Sequence, residues 1–136
     1  MYTSFHEYLS KHPNTMKNEN VYIPALKQSI VFYVGQNAHD NFAVIDQMQT
    51  DHDLWFHADA GVSSCHVVAR IDEPLDKKSH RQIVKQGALL CKKHTAKLSR
   101  VSNVGIMYVP LHKVVKTRLA GAVTIRDTIG SGIVHV

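Results

Sequence analysis

The sequence predicts an α+β domain, with a mixed, mainly antiparallel sheet and two or three helices packed on it. Three observations lead there. The segments read in the order β, α, β, β, α, β, β, β, β, which is neither an alternating β/α array nor an all-β series. The connections in the last third are short, which favours antiparallel pairing. The stretch Asp53-Leu54-Trp55-Phe56-His57-Ala58 alternates strictly, so a strand there sends Leu54, Phe56 and Ala58 to a core face and Asp53, Trp55 and His57 to the other. The helices are expected to cover one side of the sheet.

In order along the chain, residues 2–12 read as a short helix with Phe5, Tyr8 and Leu9 on one side, ended by His12-Pro13-Asn14. Residues 14–20 read as a polar linker. Residues 1–27 are therefore expected to be a helical appendage and linker, and residues 28–136 the domain. Ser29–Val34 is rich in β-formers and Gly35 ends it. Asn37 suits a helix N-cap with Asp40 three residues on, so a helix should run to about Met48 and bury Phe42 and Ile45. Residues 53–58 and 66–71 read as a hairpin around the loop 59–65. After Asp72-Glu73-Pro74 a long helix is expected from about Ser79 to Leu98, with an apolar stripe of Val84, Gly87, Ala88, Cys91, Thr95 and Leu98. Strands are expected at 104–109, 113–116, 122–125 and 132–136, with Gly130-Ser131-Gly132 as a hairpin turn.

The charge is uneven. Residues 1–76 hold four Lys/Arg and ten Asp/Glu, whereas residues 77–136 hold twelve Lys/Arg and one Asp, and no acidic residue lies between Lys77 and Arg126. Such asymmetry points to a polyanionic partner. The competing reading is that the acidic half folds over the basic half and neutralises it. On the long helix, Lys78, Arg81, Lys85 and Lys92 share a side, and Lys93, Lys97 and Arg100 broaden it. Together with Lys113, Lys116 and Arg118, these are the expected phosphate contacts, which supply affinity without sequence choice. Asn37, Asp53, Trp55, His57, His66 and Arg70 are the candidates for a recognition surface. Trp and His can stack on unpaired bases and Arg can pair with phosphate. Equally, Trp55 can be a core residue with its N–H satisfied.

Other classes have weaker support. Cys91 and His94 sit one turn apart and Cys65-His66 could add ligands, but the tight paired spacings of zinc sites are missing; no metal or cofactor is expected. Asp53, Cys65, His57 and His66 could form an acid/base or nucleophilic set acting on RNA, although adjacent strand residues face opposite ways, and no common catalytic motif occurs. An interaction with a basic protein through residues 1–27 or the acidic half is a third reading. The longest strongly apolar run, Ile30–Val34, is too short to span a bilayer, and no leader peptide is evident. Two cysteines make no disulfide framework, so a reducing compartment is expected: the cytoplasm, or alternatively the nucleus.

Several short elements resemble one family. Asp53-Leu-Trp-Phe-His57 resembles the D-x-W-F-H element of the NFACT-R domain, an RNA-binding module of ribosome-associated quality-control proteins that also occurs in stand-alone proteins. Gly35-Gln-Asn-Ala-His-Asp-Asn41 resembles its G-K-N-A-x-x-N element and Ser64-Cys-His-Val67 its G-S-H-V element. Val104 to Tyr108, Lys113 to Lys116 and Gly121 to Val123 resemble its C-terminal pieces. The likeness covers about residues 28–136, in order. The chain departs at Gln36, where the family has lysine, and at Ser64 and Cys65, where it has glycine and serine; this looks more like the stand-alone members. The resemblance implies RNA as partner (tRNA or ribosomal RNA, with DNA the other candidate polyanion), a place in translation quality control or RNA modification, and contact with a ribosome or protein partner.

Overall fold

The computed structural model describes residues 16–47 and 50–136; the expected helix at 2–12, its Pro13 stop and Met48 lie outside them. A six-stranded sheet forms the centre. It comprises β1 (Lys17–Ile23), β2 (Gln28–Gly35), β3 (Leu54–Ala58), β4 (His66–Ala69), β5 (Gly105–Pro110) and β8 (Gly132–His135), in the order β1-β2-β4-β3-β5-β8. Two further strands, β6 (Val114–Lys116) and β7 (Val123–Ile125), make a separate ribbon. Every pairing among the described residues is antiparallel. The helices are α1 (Ala38–Ile45) and α2 (Lys77–Lys93). The α+β class is therefore as expected, and β3 and β4 form the expected hairpin.

The sheet is covered on both faces, not one. Leu54, Phe56 and Ala58 join Phe32, Val34, Val67 and Ile106 under Ile83, Val84, Ala88 and Cys91 of α2. On the other side Tyr33, Trp55, Val68 and Val109 pack with Val44 and Ile45 of α1 and Val114 of the ribbon. A sheet sandwiched in this way buries both sets of alternating side chains, which is why Trp55 is only 2 % exposed. Among the described residues no helix is long and apolar enough to cross a membrane.

Four expectations are corrected. Residues 17–20 are not linker: the Lys17–Ile23 strand pairs along its whole length with β2, because a partner edge overrides the low β-propensity of Lys, Asn and Glu. The domain thus begins before residue 28. Helix α1 ends at Ile45. Helix α2 starts earlier, where Asp76 caps it by accepting from the Ser79 N–H at 2.8 Å, and stops at Lys93. There the Thr95 hydroxyl donates to the Cys91 carbonyl at 2.8 Å and accepts the Cys65 N–H at 3.1 Å, holding the chain in turns through Arg100. Finally, Gly130-Ser131-Gly132 does not close a hairpin, since β7 pairs with β6 and β8 with β5.

Candidate nucleic-acid interface

At one end of the sheet the chain opens an irregular cleft of about 800 Å³. Its walls are the β2–α1 junction with Gln36, Asn37 and Asn41, the β3–β4 loop with Ser63 and Ser64, the turn after α2 with Lys97, and the β6–β7 turn around Gly121. His57 and His66 form its inner surface. Gly35 permits the tight junction. A Cβ there would lie 2.7 Å from the Asp40 carbonyl carbon, so any side chain would push α1 off the end of β2. Asn37 caps α1 as expected, its Oδ1 accepting the Asp40 N–H at 2.9 Å.

Three rings form one cluster. The Trp55 indole N–H donates to Nδ1 of His66 at 3.1 Å. His57 stacks on Trp55 with centroids 5.3 Å apart and planes 13° apart, and meets His66 edge-on at 5.1 Å. Nδ1 of His57 lies 2.7 Å from the Ala58 carbonyl, and the backbone N–H of His66 donates to Oδ1 of Asn41 at 3.0 Å. Burial holds both imidazoles below their ordinary range: His57 is lowered, with Lys97 adding repulsion, and His66 is lowered to about 3 by desolvation and the neighbouring His57. Both are neutral near pH 7.

The remaining recognition candidates separate. Asp53 is fully buried, accepting from the Ile71 N–H and from Thr50 at the other end of β3, so its role is to join loops. Arg70 faces a different hollow and pairs with Asp72 at 3.7 Å. Trp55 is core, but it backs His57 and holds His66. Asn41 is not among the recognition candidates read from the sequence, and Lys97 enters that reading only as part of the basic helix stripe. Asn41 lies one turn beyond the Asn37 cap, a spacing that puts both on one helix face. Lys97 was expected on the helix and instead stands in the turn that follows it.

The cations also divide. Lys78, Arg81 and Lys85 are exposed on α2 and Arg118 on the β6–β7 turn, and none has an ion pair among the described residues. Lys92 donates to the Val136 carbonyl at 3.2 Å. Lys93 and Lys116 reach across to the acidic half, to Glu19 at 3.9 Å and Asp46 at 2.6 Å. Lys113 pairs with Asp127. Self-neutralisation thus occurs at the ribbon and near the end of α2, while the first half of α2 stays open. Of the ligand set considered for zinc, His94 turns to Glu19 at 2.7 Å, and Cys65 and Cys91 donate their thiols to each other's carbonyls. Among the described residues no three His, Cys, Asp or Glu are grouped to hold a metal ion.

The sequence model of the NFACT protein RNA-binding domain matches residues 14–127. No curated protein matches the chain. Among solved structures, the C-terminal part of the fibronectin/fibrinogen-binding protein from Streptococcus suis superposes with a TM-score of 0.66 at 24 % identity. The match covers 88 % of this chain and 45 % of that one, so the chain spans under half of the solved neighbour. At that identity the likeness concerns the fold.

Proposed function

This chain belongs to the NFACT protein RNA-binding domain family, and from that premise we propose that it binds tRNA or ribosomal RNA through the open face of α2. The observation that carries the reading is the Lys78, Arg81 and Lys85 row. These side chains are exposed, unpaired among the described residues, and carried by a helix with no carboxylate of its own. Lys-rich helix faces that serve only solubility normally intersperse both signs. Residues 78 and 85 are two turns apart, roughly 10 Å at 1.5 Å per residue, which suits successive phosphates of one strand. Arg118 supplies a further contact.

The role is binding, not catalysis. Asp53 is held at the other end of β3 by the Ile71 N–H, and the Cys65 thiol, although Cys65 lines the cleft, donates to the Cys91 carbonyl, so neither is paired with His57 or His66 as an acid/base or nucleophilic set would need. The setting that goes with this reading is translation quality control in the cytoplasm, with a ribosome or protein partner as part of the assembly.

The test is a titration of labelled tRNA, single-stranded RNA and duplex DNA at several salt concentrations. The four phosphate contacts of Lys78, Arg81, Lys85 and Arg118 give a slope of log K against log salt of about −3 to −4, and a Kd tighter than about 100 μM at low salt. Salt-independent binding, or none for any RNA in that range, would overturn the proposal.

A further inference from the structure

We propose that the cleft lined by His57 and His66 takes one unpaired base of the bound RNA and reads its hydrogen-bonding edge. This rests on the RNA reading above and adds a second site to it.

The two imidazoles enter the cleft with fixed and opposite roles. Because Trp55 donates to Nδ1 of His66, the neutral ring carries its proton on Nε2 and is a donor there. The Ala58 carbonyl beside Nδ1 of His57 can only accept, so that nitrogen carries the proton and Nε2 of His57 is an acceptor. The ring centroids are 5.1 Å apart. A donor and an acceptor on two rings that meet edge-on at the same cleft match the Watson–Crick edge of a base, which offers both kinds of group and is free only in unpaired RNA.

The chemistry of the walls favours a base over a phosphate. Gln36, Asn41 and Ser63 are uncharged, and both histidines are neutral. Lys97 is the one cationic side chain at the cleft that is free of an ion pair among the described residues, since His94 is taken by Glu19. His66 lines the cleft, and its Nε2–H donates to no acceptor among the described residues, so that donor is open to a ligand there. Stacking on Trp55 fixes the plane of His57, so the edge is set before a ligand arrives. The cleft lies beyond the C-terminal end of α2, so a strand held along Lys78, Arg81 and Lys85 leads toward it.

The experiment compares one RNA hairpin in three forms: blunt, with a short unpaired overhang, and with the same overhang made abasic. Affinity is measured together with the emission of Trp55, the only tryptophan in the chain. The overhang form is expected to bind roughly tenfold tighter than the other two, in line with one good bidentate base contact, and it alone shifts the tryptophan emission. His57→Phe keeps the ring on Trp55 but removes the acceptor, and is expected to abolish the tenfold advantage. Ser63→Phe, which fills the cleft from an exposed position, is expected to do the same. Equal affinity for all three forms with salt dependence retained would overturn the base site and leave the RNA reading standing. An advantage kept by the abasic overhang would likewise overturn it, by assigning the contact to the sugar. Absence of binding by every form would overturn both.

Discussion

Asp53 accepts the backbone N–H of Ile71 at 2.8 Å, and that bond ties the residue entering β3 to the chain leaving β4. The same carboxylate accepts from the Thr50 N–H and hydroxyl, each at 3.2 Å. Asp53→Ala leaves the Ile71 N–H buried without an acceptor and frees the 50–53 turn. We expect a loss of about 2–3 kcal/mol, read from urea unfolding, with RNA affinity of the folded protein unchanged. A variant as stable as the parent would show that water replaces the carboxylate at no cost.

His66→Phe fills similar volume but gives the Trp55 N–H nothing to donate to. Burial of an unpaired donor costs about 1–3 kcal/mol, and the thermal midpoint should fall accordingly. Tryptophan emission should change as well, since His66 is the ring that accepts the indole hydrogen bond.

Stability should fall with acidity. His66 titrates near 3 in the folded chain and His57 below its ordinary range, whereas both titrate near 6.5 once unfolded. Below pH 6.5 the unfolded state therefore binds more protons than the native one, and acid favours unfolding. The loss begins as pH drops through 6.5 and continues toward 3, at no more than about 1.4 kcal/mol per pH unit for His66. Urea midpoints measured from pH 7.5 to 4 test this. A flat profile above pH 5 would mean that the histidine cluster takes up protons while folded.

Gly87 lies against the Phe56 ring, and a Cβ added there would sit inside the ring's van der Waals envelope. Alanine gains roughly 1 kcal/mol of helix propensity over glycine. Phe56 is fully buried and cannot swing aside, and overpacking costs about 1–3 kcal/mol or more. The clash is expected to win, so Gly87→Ala lowers the unfolding midpoint. A rise would mean that α2 shifts outward freely.

Lys85→Ala should weaken RNA binding alike for all sequences and reduce the magnitude of the salt slope by about 0.7 to 0.9. Lys113→Ala should leave both almost unchanged, because its ammonium is already held by Asp127 and the Ile129 carbonyl. Equal effects of the two would place the RNA across the ribbon as well as α2.

How much was legible varied by element. The 53–58 strand and its hairpin with β4 followed from strict alternation, and α1 from its Asn37 cap. β1 was missed because KNENVYI has little intrinsic preference for a strand and acquires one from the β2 edge. The end of α2 was misplaced because the stopping signal is Thr95 bonding to Cys65, thirty residues earlier. No helical period reports such a contact.

From the amino-acid order alone came the α+β class, the family, the cationic half and the pair His57 and His66, since composition and local periodicity are properties of the chain itself. The fold decided which cations stay open and which turn inward to Glu19, Asp46 or Asp127. It also parted Asp53 and Arg70 from the histidines and brought Asn41 and Lys97 to them. Those outcomes depend on distances between residues far apart in sequence, and such distances exist only once both faces of the sheet are packed.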